Sequence, residues 1–178
     1  MVSPLDFSWS RCFGSLCDSA MIETGTKGFE TDHPAIAFNA YWQTLADGNL
    51  PARKDLRPEE IRHVLRWMMI LERLGSEREP LYIVRLHGTA SSAMMYGNLT
   101  GRELSEFTSG DCHASRVEAF RRALTNRRPV FGTSQVEAFG HPAIEVHLGI
   151  FPFAGAAPEN PQLVVVAAPD NLELRRSL

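Results

Sequence analysis

Ala143-Ile144-Glu145-Val146-His147-Leu148-Gly149-Ile150-Phe151-Pro152-Phe153 alternates apolar and mixed positions along its length. In an extended chain Ile144, Val146, Leu148 and Ile150 share one face, and Glu145, His147 and Phe151 share the other. Downstream, Pro158 to Pro161 makes a turn, and Leu163-Val164-Val165-Val166-Ala167-Ala168 is apolar on both faces, as a central strand is. Upstream, Val130 to Ala138 alternates loosely and ends at Gly140. Three successive strands favour antiparallel pairing, because short turns join antiparallel neighbours.

Further upstream lies an earlier hairpin. Trp67-Met68-Met69-Ile70-Leu71 is a continuous apolar run, readable as a buried strand or as a continuation of the helix before it. Gly75 to Pro80 reads as a hairpin connection, and Leu81-Tyr82-Ile83-Val84-Arg85-Leu86-His87 is rich in β-branched and aromatic residues. Between hairpin and terminal strands the chain turns helical with interruptions: Ala90 to Tyr96 makes a short helix that Gly97 breaks, and Gly101 to Phe107 another turn or two. The clearest helix runs from about Cys112 to Asn126, capped by Ser109 or Asp111, with Val117, Phe120 and Leu124 as its apolar stripe.

Two helices precede the hairpin. Pro34 to Ala46 carries Phe38, Tyr41, Trp42 and Leu45 at helical spacing, and Asp47-Gly48-Asn49 stops it. Pro58 opens a shorter one, with Glu59 and Glu60 in its first turn and Ile61, Val64 and Leu65 on its buried side. Residues 1–33 show no sustained period and read as a poorly ordered or loosely docked arm, with Leu5, Phe7, Trp9 and Phe13 as its apolar cluster. Residues 34–170 form the domain proper, and 171–178 a charged tail. The fold class is α+β: an antiparallel sheet with the central helices over one face and an N-terminal helical extension.

Composition limits the function. With 178 residues the chain holds one sizeable core. A net charge of -3 leaves no basic footprint for nucleic acid. No long apolar run suggests a membrane span. Three cysteines, Cys12, Cys17 and Cys112, give no disulfide framework, so a cytoplasmic, reducing setting is the expectation. Nucleophile elbows, P-loops, metalloprotease and dinucleotide glycine patterns are absent, so no catalytic residue is assigned.

The order of elements resembles the PAS domain, a five-stranded antiparallel sheet with helices after its second strand. Four fragments resemble the short bacterial PAS proteins of type five: Leu50-Pro51-Ala52-Arg53, Leu56 to Ile61, Tyr82 to Thr89, and Tyr96-Gly97-Asn98-Leu99-Thr100-Gly101-Arg102-Glu103-Leu104. The resemblance spans roughly 34–170. It implies a sensory or regulatory module, a small-molecule ligand or protein partner, and output through a separate signalling protein or a homodimer. It implies no particular ligand, because one fold hosts many functions.

The candidate pocket comprises Met69, Arg85, His87, Met94, Tyr96, Phe107, His113, Val117 and Phe120. Met68, Met69, Met94 and Met95 suit an adaptable apolar cavity, and equally an ordinary core. His113 lies four residues before Val117, and haem-binding PAS domains take an axial histidine from this helix. Flavin photosensors carry an Asn-Cys-Arg motif, from which Gly110-Asp111-Cys112-His113 departs; a small buried thiol is the plain reading of Cys112. Haem and flavin are thus the cofactors considered. Arg85 either binds a carboxylate ligand or pairs with Glu103, Glu106 or Glu145. Glu145 and His147 lie two apart on one strand face without a third ligand, so no metal site is assigned. Phe38, Tyr41 and Trp42 form a stripe that covers the chain's own sheet or a second subunit. Rival readings are a small-substrate enzyme using His87, His113 or Arg85, and an interaction adaptor with a filled core.

Overall fold

The computed structural model describes residues 20–137 and 142–178. Expectations for the apolar cluster of the arm, for Cys12 and Cys17, and for the strand end at Ala138 to Gly140 lie outside the described residues.

Among the described residues six strands form one sheet: β1 (Ile22–Glu23), β2 (Met68–Gly75), β3 (Pro80–His87), β4 (Val130–Val136), β5 (Ile144–Phe153) and β6 (Gln162–Pro169). Their order is β1-β4-β5-β6-β2-β3, antiparallel at every neighbour. The terminal trio joins the opening hairpin where β6 pairs with β2, Met69 opposite Val165. This is a PAS-like sheet with one strand more than the expected five. The extra strand, β1, comes from the segment read as a loose arm. Gly132 makes room for it: a Cβ there would collide with the Ile22 carbonyl.

Alternate residues of the strands feed two cores. Met69, Leu71, Val84, Leu148, Ile150 and Val165 face one side, under α4 (Gly110–Asn126) and the shorter α3 (Thr89–Met94). Met68, Ile70, Phe151, Phe153, Val164 and Val166 face the other, under α1 (Pro34–Ala46) and α2 (Arg62–Leu65). The N-terminal helices are therefore the cover of the second face and not an appendage. A sheet apolar on both sides needs two covers.

Helix α1 begins at Pro34, where the missing N–H costs nothing, and His33 Nδ1 accepts the Ala35 N–H at 3.2 Å. It ends as Asp47 and Gly48 take positive φ. Phe38 is fully buried, and Trp42 is buried with its Nε1 donating to the Pro152 carbonyl at 3.1 Å. Tyr41 is half-buried, and its hydroxyl accepts the Arg57 N–H. The stripe expected at a dimer interface is thus seated on the chain's own sheet. Burying a large side chain such as Phe38 contributes about 1.5–3 kcal/mol, so Phe38 and Trp42 are not available to a second subunit.

The C-terminal residues also dock. Helix α5 (Leu172–Ser177) places the buried Arg175 against Glu30 at 2.7 Å and Asp32 at 3.3 Å. Residues 20–33 and the tail therefore hold each other through one guanidinium.

Candidate functional site

The site begins with the phase of α4. Cys112, Arg116, Ala119, Phe120 and Ala123 are its buried residues. Val117 and His113 lie to one side of that stripe and are half-buried. The sequence pattern put Val117, Phe120 and Leu124 at the centre; packing turns the helix so that Arg116 points inward instead. A run of apolar letters cannot reveal that, because an arginine is never counted toward an apolar stripe. The usable signal was spacing: Arg116 lies four residues after Cys112 and four before Phe120.

Arg116 lines a cavity between α4 and the sheet. Met69 and Leu71 from β2, Val146 from β5, Val165 and Ala167 from β6, and Phe107 and Phe120 complete the apolar wall. Ser91 and Thr108 add two hydroxyl groups. Arg116 Nη2 donates to Ser134 Oγ at 3.0 Å. Burial lowers the guanidinium pKa to about 10, which leaves it charged at neutral pH. The free space is about 30 Å³. That holds one or two waters, whereas pockets for larger ligands run from roughly 300 to 1,000 Å³.

A β-bulge shapes the neighbouring wall. Ile70 pairs with Leu86 while Leu71 pairs with Val84, so Arg85 is the extra residue. The bulge reverses the alternation beyond it. His87 then pairs with Met69, and Leu86 pairs with Ile70. Nδ1 of His87 accepts the Leu99 N–H at 3.1 Å, so Nε2 carries the proton and donates to Ser91 Oγ at 3.0 Å. Desolvation lowers the His87 pKa to about 4. It is a neutral strut that ties the end of β3 to α3.

The remaining candidates scatter. Met69, Phe107 and Phe120 line the cavity. Met94 is buried in the same core without lining the cavity, and Val117 packs beside it. Tyr96 is 46% exposed, with a positive φ of 54°. Arg85 turns outward and pairs with Glu72 across the hairpin, Nη2 to Oε2 2.6 Å, rather than with Glu103, Glu106 or Glu145. His113 Nδ1 meets Thr108 Oγ1 at 2.9 Å and does not line the cavity. Arg85, His87 and His113 therefore share no cavity, and the small-substrate enzyme loses its expected site. Arg116, Ser134, Thr108 and Ser91 were not among the site candidates of the sequence reading.

A PAS domain family model of type five matches residues 30–166. The chain belongs to the PAS domain family. No curated protein matches it. The match covers α1 through most of β6, so both covers of the sheet belong to this PAS domain. Family membership makes it a module of sensory or regulatory type. Haem does not fit the cavity under α4 as it stands: the space is too small and His113 is engaged elsewhere. Flavin meets the same limit of space. Cys112 is fully buried and disulfide-bonded, so it is not the free thiol read from the sequence. Among the described residues no group of three or more His, Cys, Asp or Glu could hold a metal ion. Among the described residues no helix is long and apolar enough to cross a membrane.

Proposed function

We propose that this PAS domain senses a small acid in the cavity under α4, with Arg116 as its anchor. The supporting observation is a charged guanidinium on the wall of an otherwise apolar cavity. Such a group recognises a carboxylate by paired, charge-assisted hydrogen bonds. Ser91 and Thr108 hydroxyls serve the polar remainder of the ligand, and Met69 and Met95 adapt to its shape.

The ligand acts by population shift. A guest larger than water fits only a state in which α4 stands further from the sheet. Helix α4 holds the N-terminal segment: Ser115 Oγ accepts the Met21 N–H at 2.9 Å, and Arg122 pairs with Glu23 of β1. Movement of α4 therefore pulls on the edge strand, and the displaced edge is what a separate signalling protein reads. A ligand-free adaptor is the second reading, favoured by the small free volume.

Acetate, succinate and benzoate, titrated against the full chain with methionine methyl NMR as readout, test the proposal. Saturable shifts at Met69 and Met95 are expected for at least one acid. They should vanish in Arg116→Met and return in part in Arg116→Lys. No response to any of the acids would establish the adaptor reading, and a response unchanged in Arg116→Met would remove the arginine from the site.

A further inference from the structure

On the opposite face of the sheet, the chain from Arg53 to Arg66 stands off from the ends of β2 and β3. It leaves an open cleft of about 470 Å³. Buried Leu56, Met68 and Ile70 form the floor. Leu86, placed there by the bulge at Arg85, is 38% exposed. The charged side chains of the lining are Arg53, Arg62 and Arg66. None of the three forms an ion pair with a described residue. Arg66 instead rests over the Trp67 ring, 5.5 Å from its centroid. An acidic chain, net -3, thus gathers three positive charges around one apolar recess without a carboxylate among its lining residues.

We propose that this cleft is a second binding site, for a soluble amphipathic anion: a carboxylate or phosphate head on the arginines and a short apolar body over Leu65 and Leu86. The volume falls within the range of small-molecule sites, roughly 300–1,000 Å³. Guanidinium groups match planar and tetrahedral oxyanions alike. No Phe, Tyr or Trp lines the cleft, so the stacking platform that single-stranded nucleic acid needs is missing from its lining. The cleft shares no lining residue with the cavity under α4; His87, which lines the cleft, reaches the cavity only through its bond to Ser91.

Calorimetry on the full chain tests this with decanoate, octyl phosphate, neutral octyl glucoside, inorganic phosphate, and phosphatidylglycerol vesicles. Decanoate and octyl phosphate are expected to bind one per chain. Octyl glucoside and inorganic phosphate should bind at least tenfold more weakly, because each offers half of the recognition. The surface variant Arg62→Gln/Arg66→Gln should weaken decanoate about tenfold with its circular dichroism unchanged. Arg116→Met should leave decanoate binding as it was. Equal decanoate affinity in the double variant, its loss in Arg116→Met, or binding confined to vesicles would each overturn the proposal.

Discussion

The two faces of the sheet are packed by different means. The α1 face is aromatic. Phe151 meets Phe38 at 4.8 Å between ring centroids and Phe131 at 5.6 Å, both edge to face. Phe29 closes over His33 at 5.1 Å and His147 at 4.9 Å. The α4 face holds Met69, Met94 and Met95 beside aliphatic residues and Phe107, one edge-to-face pair in Tyr82 and Phe120 at 5.0 Å, a small cavity and a buried arginine. Edge-to-face rings add about 0.5–1.5 kcal/mol per pair beyond their buried area and fix one geometry. Flexible thioethers fill space without fixing it. One sheet therefore carries one side denser in ring pairs and another that relies more on flexible thioethers.

The largest effect should come from breaking the side denser in ring pairs. Phe38→Ala removes a fully buried ring from between Phe151 and Phe153, and should cost about 3–5 kcal/mol in urea unfolding. A loss below 1 kcal/mol would show that the aromatic face is not the anchor.

Acid should attack the same side. His33 is fully buried, and Nε2 donates to the Ala168 carbonyl at 3.1 Å. Desolvation, with smaller contributions from Arg175 and His147, lowers its pKa to about 4. The unfolded chain protonates this group near 6.5, so its stabilisation is whole above pH 6.5 and is lost as pH falls toward 4. The loss is on the order of 3 kcal/mol. His87 should contribute a similar limb. In His33→Asn, which keeps a capping side chain, stability measured between pH 7 and pH 4 should fall by about half as much as in the parent. An unchanged limb would mean that His33 is not buried neutral.

The smallest effect sharpens the comparison most, because it makes nearly the same change on each face. A Cβ on Gly149 would meet the Phe151 ring at 2.7 Å and the Phe131 ring at 3.0 Å. Gly149→Ala should therefore cost about 1–3 kcal/mol. Val165→Ile adds one carbon toward the cavity and should change stability by less than about 1 kcal/mol. Equal costs in thermal unfolding would erase the distinction between the faces.

Much of this was legible beforehand. Helix α1 runs from Pro34 to Ala46 as its proline, its stripe and its Asp-Gly stop imply. The strands fall where alternation and turns put them, within a few residues. What escaped depended on contacts between distant segments, and only the spacing of Arg116 pointed to it locally. Strand β1 is two residues long and lies where a side chain at Gly132 would collide with it. The partner of Arg85 depended on a bulge, and the phase of α4 depended on which residues met β2 and β6. For those reasons Glu72 and Arg116 were missed.

Caps, turns and hydrophobic period are properties of neighbours along the chain, so the residues alone determined most of the elements, their order and the need to bury both sides of β6. Register, bulge and helix rotation are settled when distant segments close on one another, since each competes for the same space in a close-packed interior. That closure set Arg116 beside a cavity and Phe38 against its own sheet.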